Sequence, residues 1–187
     1  MEQHIYNALQ DSPIIAAVRD EAGLAACLRS DVRMVFTLCG DICSIAPMVD
    51  RIHSTGKLAV VHLDRITGLA AKEVAVDFVR SATRADGVIS THPNLIQRAK
   101  AQGLFTVLRA FLIDSIALDN LLAASKIHPD ALDILPGLMP SMIRRVVRET
   151  GLPVMTGGLI TQKQEILQAL EAGALAISTT NPAVWSM

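Results

Sequence analysis

Eight short apolar runs, each followed by a helix-period pattern, limit the fold of this chain more than any other feature. They are Pro13–Val18, Met34–Leu38, Leu58–Leu63, Gly87–Ser90, Phe105–Leu108, Ala131–Leu135, Pro153–Met155 and Ala174–Ser178. A strand followed by a helix, repeated at regular spacing, builds a parallel sheet covered by helices. Such a series either stays open as a doubly wound sheet or closes into a barrel, and eight strands are the number that closes one. The expected fold is therefore α/β, a compact (β/α)8 TIM-like barrel. At 187 residues the chain is shorter than the ~200 usual for that fold. Short loops and a short or missing last helix reconcile the two. One domain spanning residues 1–187 is expected.

Composition supports strands covered on both faces. Hydrophobic residues make up 51% of the chain and aromatic residues only 3%, so the core is aliphatic. The helix between the second and third runs is the clearest, with Ile42, Ile45, Ala46, Val49 and Ile52 on one stripe and Asp41 as its N-cap. His92-Pro93 and Met139-Pro140 place proline at a first helical position. Thr161 with Gln164 reads as a capping box. Gly103, Gly151 and Gly173 read as helix-ending glycines ahead of strands.

Several function classes are disfavoured. A net charge of −1 lacks the basic excess of a general nucleic-acid binder, so any RNA contact would come from a local patch or from a homo-oligomer. Arg144, Arg145 and Arg148, on one predicted helix, form the densest basic group. Cys27, Cys39 and Cys43 do not make a disulfide framework, and Cys39 with Cys43 lacks the second pair that would complete a metal site. The cysteines read as buried small hydrophobes, and no metal or cofactor is expected. The opening Met1-Glu2-Gln3-His4 is unlike a signal peptide, and no apolar stretch is long enough to span a bilayer. A cytoplasmic protein that does not contact a membrane is expected.

Candidate site residues follow from the geometry of barrels, whose function sits at the C-terminal ends of the strands, with phosphate often held by the seventh and eighth loops. The seventh run leads into Thr156-Gly157-Gly158, whose glycines let backbone approach an anion closely. The eighth ends in Ser178-Thr179-Thr180, and Asn181-Pro182 opens a short helix beyond it. Gly157, Gly158, Ser178, Thr179 and Thr180 are the expected phosphate-binding residues. Arg19, Asp41, His62, Asp64, Ser90 and Arg109 end other strands and are expected to ring a pocket. His62 and Asp64, two apart on a strand, should share a face. Each also has an ordinary reading: Asp41 caps a helix, His62 is a core histidine, Arg109 pairs with a carboxylate. No catalytic residue is assigned. Lys57, Lys72, Lys100, Lys126 and Lys163 all lie away from strand C-terminal ends, which argues against Schiff-base chemistry. No nucleophile elbow is present. The alternative is a metabolic enzyme acting on a small phosphorylated substrate, with Asp41, His62, Asp64 and Asp114 as acid–base candidates.

The ordered segments SPIIAAVR (12–19), CGDI (39–42), VVHLDRITGL (60–69), DGVISTH (86–92), FLIDS (111–115), DILPGLMP (133–140), TGGLI (156–160) and AISTTNPAVW (174–185) together resemble the glycerol uptake operon antiterminator regulatory proteins. The resemblance covers almost the whole chain. It implies a barrel that responds to glycerol 3-phosphate and acts on leader mRNA of glycerol-utilisation genes without catalysing a reaction. It implies that Gly157, Gly158, Ser178 and Thr179 hold the phosphate and that Asp64 and its neighbours face the glycerol end. Two positions beside the pocket depart from the family pattern: His92 stands in place of a lysine, and Arg65 in place of an aliphatic residue.

Overall fold

The computed structural model describes residues 3–185. Eight parallel strands form a closed barrel in chain order, the eighth pairing with the first. The elements are α1 (Gln3–Asp11), β1 (Ile14–Val18), α2 (Glu21–Leu28), β2 (Met34–Thr37), α3 (Ile45–His53), β3 (Leu58–His62), α4 (Glu73–Ala82), β4 (Gly87–Ser90), α5 (Pro93–Ala101), β5 (Phe105–Phe111), α6 (Ser115–Ala124), β6 (Ala131–Leu135), α7 (Pro140–Thr150), β7 (Val154–Gly157), α8 (Lys163–Glu171) and β8 (Ala176–Thr179). After β8 the expected short helix is a single 3-10 turn, Pro182–Val184. All eight strands fall on the apolar runs read from the sequence. β5 outgrows its run most, continuing three residues past Leu108 to Phe111, while β7 continues two residues past Met155 and β8 one past Ser178.

Two buried apolar bodies hold the barrel. The larger lies between strands and helices, and includes Val18, Val35, Val61, Val88, Leu132 and Ile177 packed on Leu24, Val49, Val79, Ile96, Ile143 and Ile166. The smaller fills the barrel itself with Ile15, Ala17, Met34, Phe36, Val60, Ile89, Phe105, Val107, Ala131, Met155 and Ala176. Alternation along each strand divides residues between the two bodies. Ile5 and Leu9 of α1 belong to the inner body, at 2% and 0% exposure. The N-terminal helix thus stoppers the barrel at the end opposite the site. Sequence periodicity did not reveal this role, because among the described side chains of α1 only Ile5 and Leu9 join the core.

Helix boundaries show where local chemistry was misread. Asp41 does not cap α3 directly. Its carboxylate accepts from the N–H groups of Cys43 and Ser44 and from the Ser44 hydroxyl, stabilising a turn that delays α3 to Ile45. Ile42 therefore leaves the apolar stripe and is 45% exposed. The capping box of α8 pairs Gln162 with Glu165, one residue beyond the expected pair, because Glu165 reaches the N–H groups of both Thr161 and Gln162. Of the cysteines only Cys27 is buried, where loss of solvation pushes its thiol up to about 11; Cys43 is exposed. Gly103, Gly151 and Gly173 do follow helices with positive φ, the conformation glycine adopts without steric cost.

If α1 is the stopper, Leu9→Ala should destabilise the protein by roughly 2–4 kcal/mol, as buried leucine truncations do. Urea unfolding followed by circular dichroism measures this, with an exposed α1 change such as Gln10→Ala as the control expected to stay within about 0.5 kcal/mol.

Candidate functional site

The barrel interior changes character toward the C-terminal ends of the strands. Register places Ala17 beside Phe36, His62 beside Ile89, Arg109 beside Asp133, and Gly157 beside Ser178. These eight inward positions form its upper interior. Ala17, Phe36 and Ile89 keep one side apolar. Arg109, Asp133, Gly157 and Ser178 make a polar arc across β5–β8, and His62 joins from β3.

Arg109 and Asp133 form a buried ion pair. The guanidinium Nε donates to Asp133 Oδ2 at 2.7 Å and Nη2 lies 2.7 Å from the same oxygen, at 7% and 0% side-chain exposure. Asp133 Oδ1 is buried without a hydrogen-bond partner, and so is His62 Nδ1. Burial, followed by the positive charge of Arg109, pushes the His62 imidazole down to about 4 against the opposing pull of Asp64. His62 is thus neutral near pH 7. Arg109 does have the carboxylate partner that its ordinary reading expected, yet it also lines a cavity. Asp133 was not among the expected site residues. The signal available was a carboxylate inside an apolar run read as a strand buried on both faces.

Above this floor lies a cavity of about 250 Å³, lined by Ala17, Leu38, Arg109, Leu135 and the segments 158–161 and 178–181. The two loops singled out in the sequence therefore meet over one space. Gly157 has a distinct part: a Cβ there would stand 2.2 Å from Ser178 Oγ and 2.4 Å from the Ser178 carbonyl oxygen. Its lack of a side chain lets β7 and β8 come together under the cavity. Gly158 and Leu159 both have positive φ, 74° and 63°, and turn the seventh loop across the mouth. The Gly137 N–H donates to the Gly158 carbonyl at 3.3 Å, bracing this loop from its neighbour. The eighth loop is pinned by Trp185, whose Nε1 donates to the Thr179 carbonyl at 3.0 Å, and by Asn181, which caps the last turn through Ala183. Thr161 lines the cavity, but its N–H is already held by Glu165.

The other expected pocket residues separate. Asp64 does not continue the strand with His62. β3 ends at His62 and the chain enters a 3-10 turn, Leu63–Arg65, so the rule that residues two apart share a face no longer applies. Asp64 instead accepts from Ser90 Oγ at 2.5 Å and from the Thr91 N–H and hydroxyl at 2.7 Å each. Burial pushes its carboxyl up, but these hydrogen bonds outweigh that and hold it below the ordinary carboxylate value. Asp64 and the fully buried Ser90 thereby fix the loop after β4, with His92 Nδ1 3.6 Å from Asp64. Asp41 is occupied in its own turn. Arg19 is exposed and borders a neighbouring cleft with Asp20, Thr180 and Pro182. Asp114 caps α6 through the Ala117 N–H. No lysine lines the cavity among the described residues. Arg144, Arg145 and Arg148 lie on the exposed face of α7, where Glu149 sits 2.8 Å from Arg145 and 3.6 Å from Arg148.

Residues 14–185 match the family described as glycerol-3-phosphate responsive antiterminator. The chain belongs to that family. A curated relative, the uncharacterized protein YgcP of Escherichia coli K12, is 36% identical over 184 residues, covering 98% of this chain and 96% of YgcP. The crystal structure of the glycerol uptake operon antiterminator regulatory protein of Listeria monocytogenes superposes with a TM-score of 0.89 at 30% identity, covering 92% of this chain and 94% of that one. A glycerol uptake operon antiterminator-related protein of Thermotoga maritima MSB8 gives a TM-score of 0.83 at 30% identity, covering 94% and 99%. The barrel of this antiterminator family is thus the fold found here. No described helix is long and apolar enough to cross a membrane.

Two predictions follow from the site. The folded state keeps His62 unprotonated down to about pH 4, whereas the unfolded chain binds that proton near 6.5. The unfolded state therefore carries more protons between those values. Stability should fall as pH drops from 6.5 to 4, by up to about 3 kcal/mol from this group, and His62→Gln should flatten that part of the profile in pH-dependent urea unfolding. Gly157→Ala should lower stability by about 1–3 kcal/mol through overpacking against Ser178, read as a drop in thermal midpoint.

Proposed function

We propose that this protein is an effector-responsive RNA-binding regulator of glycerol-utilisation genes, and that glycerol 3-phosphate is its effector. The observation that carries this reading is the convergence of Gly158 with Ser178, Thr179 and Thr180 on one cavity, in a member of a family described as responsive to that phosphate. Backbone amides and hydroxyls at such a cup suit phosphate oxygens, and no lysine is needed for the purpose. The effector acts by linkage: it favours the barrel conformation or oligomer that binds leader mRNA better, and RNA in turn raises effector affinity by the same factor. Arg144, Arg145 and Arg148 on the exposed face of α7 supply the basic contact, with part of their charge offset by Glu149.

A second reading is favoured by one observation, the buried polar group of His62, Arg109 and Asp133 inside the barrel mouth. The same barrel hosts many enzymes, and a neutral imidazole beside an ion pair suits proton transfer on a phosphorylated substrate. Lack of a lysine in the cavity lining leaves that reading second.

Binding of labelled leader RNA with and without glycerol 3-phosphate tests the regulator. The effector should tighten RNA binding about 5- to 150-fold, and Arg144→Ala with Arg148→Ala should weaken binding and reduce its salt slope. RNA binding that ignores the effector at every salt concentration would overturn the proposal. Turnover of a phosphate ester, lost in His62→Ala, would establish the enzyme instead.

A further inference from the structure

We infer that Asp133, with Arg109 and His62, is a specificity site that reads the hydroxyl groups of a small phosphorylated polyol, while the loops above hold only its phosphate. The inference rests on the phosphate reading of the cup and adds a separate recognition element beneath it. Three features of the floor carry it. Asp133 is fully buried on β6, and one of its two carboxylate oxygens has no partner. His62, 3% exposed on β3, has an unpartnered Nδ1. Arg109 spends two of its three nitrogens on the single oxygen Oδ2.

Buried polar atoms are nearly always hydrogen-bonded, and an unmet one carries a free-energy penalty. A buried ion pair is also a poor way to stabilise a core, since apolar residues of similar volume often serve as well or better. Such a group is unusual in a barrel interior. Its chemistry fits a hydroxylated carbon chain. Asp133 Oδ1 accepts, Arg109 Nη1 donates, and neutral His62 offers one donor and one acceptor nitrogen. A hydroxyl gives and takes one hydrogen bond at once and satisfies such a mixed set; a methylene satisfies none of it. Arg109 lines the cavity and is paired through two nitrogens with Asp133, which joins the buried group to the space above it. The free Oδ1 of Asp133 offers a phosphate no donor, whereas a hydroxyl can donate to it.

Ligand comparison on the unmodified protein tests the inference without RNA. Isothermal titration would compare glycerol 3-phosphate with n-propyl phosphate, which has the same phosphate and carbon count and no hydroxyls. Glycerol 3-phosphate should bind about 10- to 100-fold tighter, the effect of leaving a buried polar partner unmet. In Asp133→Asn that preference should fall to within about threefold. His62→Gln is the second variant, expected to reduce the preference while circular dichroism reports a folded barrel. Equal binding of the two esters to the unmodified protein would overturn the inference and leave the phosphate cup standing. A preference unchanged in both folded variants would overturn it as well. Binding of neither ester would remove the phosphate reading, and this inference with it.

Discussion

Pairing of β8 with β1 is the contact on which the rest of the molecule depends. Ile14 to Ala16 lie alongside Ile177 to Thr179, and this closure brings the two ends of the chain together. Pairing of β7 with β8 already sets the eighth loop beside the seventh; closure adds Ala17 of β1 to the same cavity. Without closure, Ala17 and Leu38 would sit at the far edge of an open sheet from Ser178, although all three line one cavity. Closure requires β7 and β8 to approach very closely, which is where Gly157 matters: any side chain there would occupy the space of Ser178. One glycine thus serves the barrel first and the cavity second. Its contribution is steric; the part of the loop that lines the cavity begins one residue later.

Much of the fold was legible in the sequence because every strand is covered on both sides. Short, mainly apolar runs mark such strands, and glycine and proline punctuate the helices between them. The errors have a common cause. Asp41, Asp64 and Glu165 are short-range hydrogen-bonders whose carboxylates capture nearby backbone or hydroxyl groups, and each shifts the local chain by a residue or two. Spacing arguments assume that the strand or helix continues; these side chains end it.

The site was legible in part. Gly158, Ser178, Thr179, Thr180 and Arg109 come together at one cavity, because barrel topology fixes where the seventh and eighth loops go. Asp41 does not join them because Cys43 and Ser44 hold its carboxylate in a local turn, and Arg19 does not because it is exposed beside a neighbouring cleft. Asp133 was overlooked for the opposite reason. It lies inside a strand rather than at its end, and only the register with Arg109 gives it meaning.

The stopper formed by α1 has a consequence for how such a barrel could report what it holds. Ile5 and Leu9 fill the lower opening with hydrocarbon, so the vessel has a neck at one end and a cork at the other. Whatever enters must leave by the route it came, past the same loops. A molecule held there would meet the seventh and eighth loops at the rim and not the corked base. A partner that senses the contents has to touch the rim or an element tied to it.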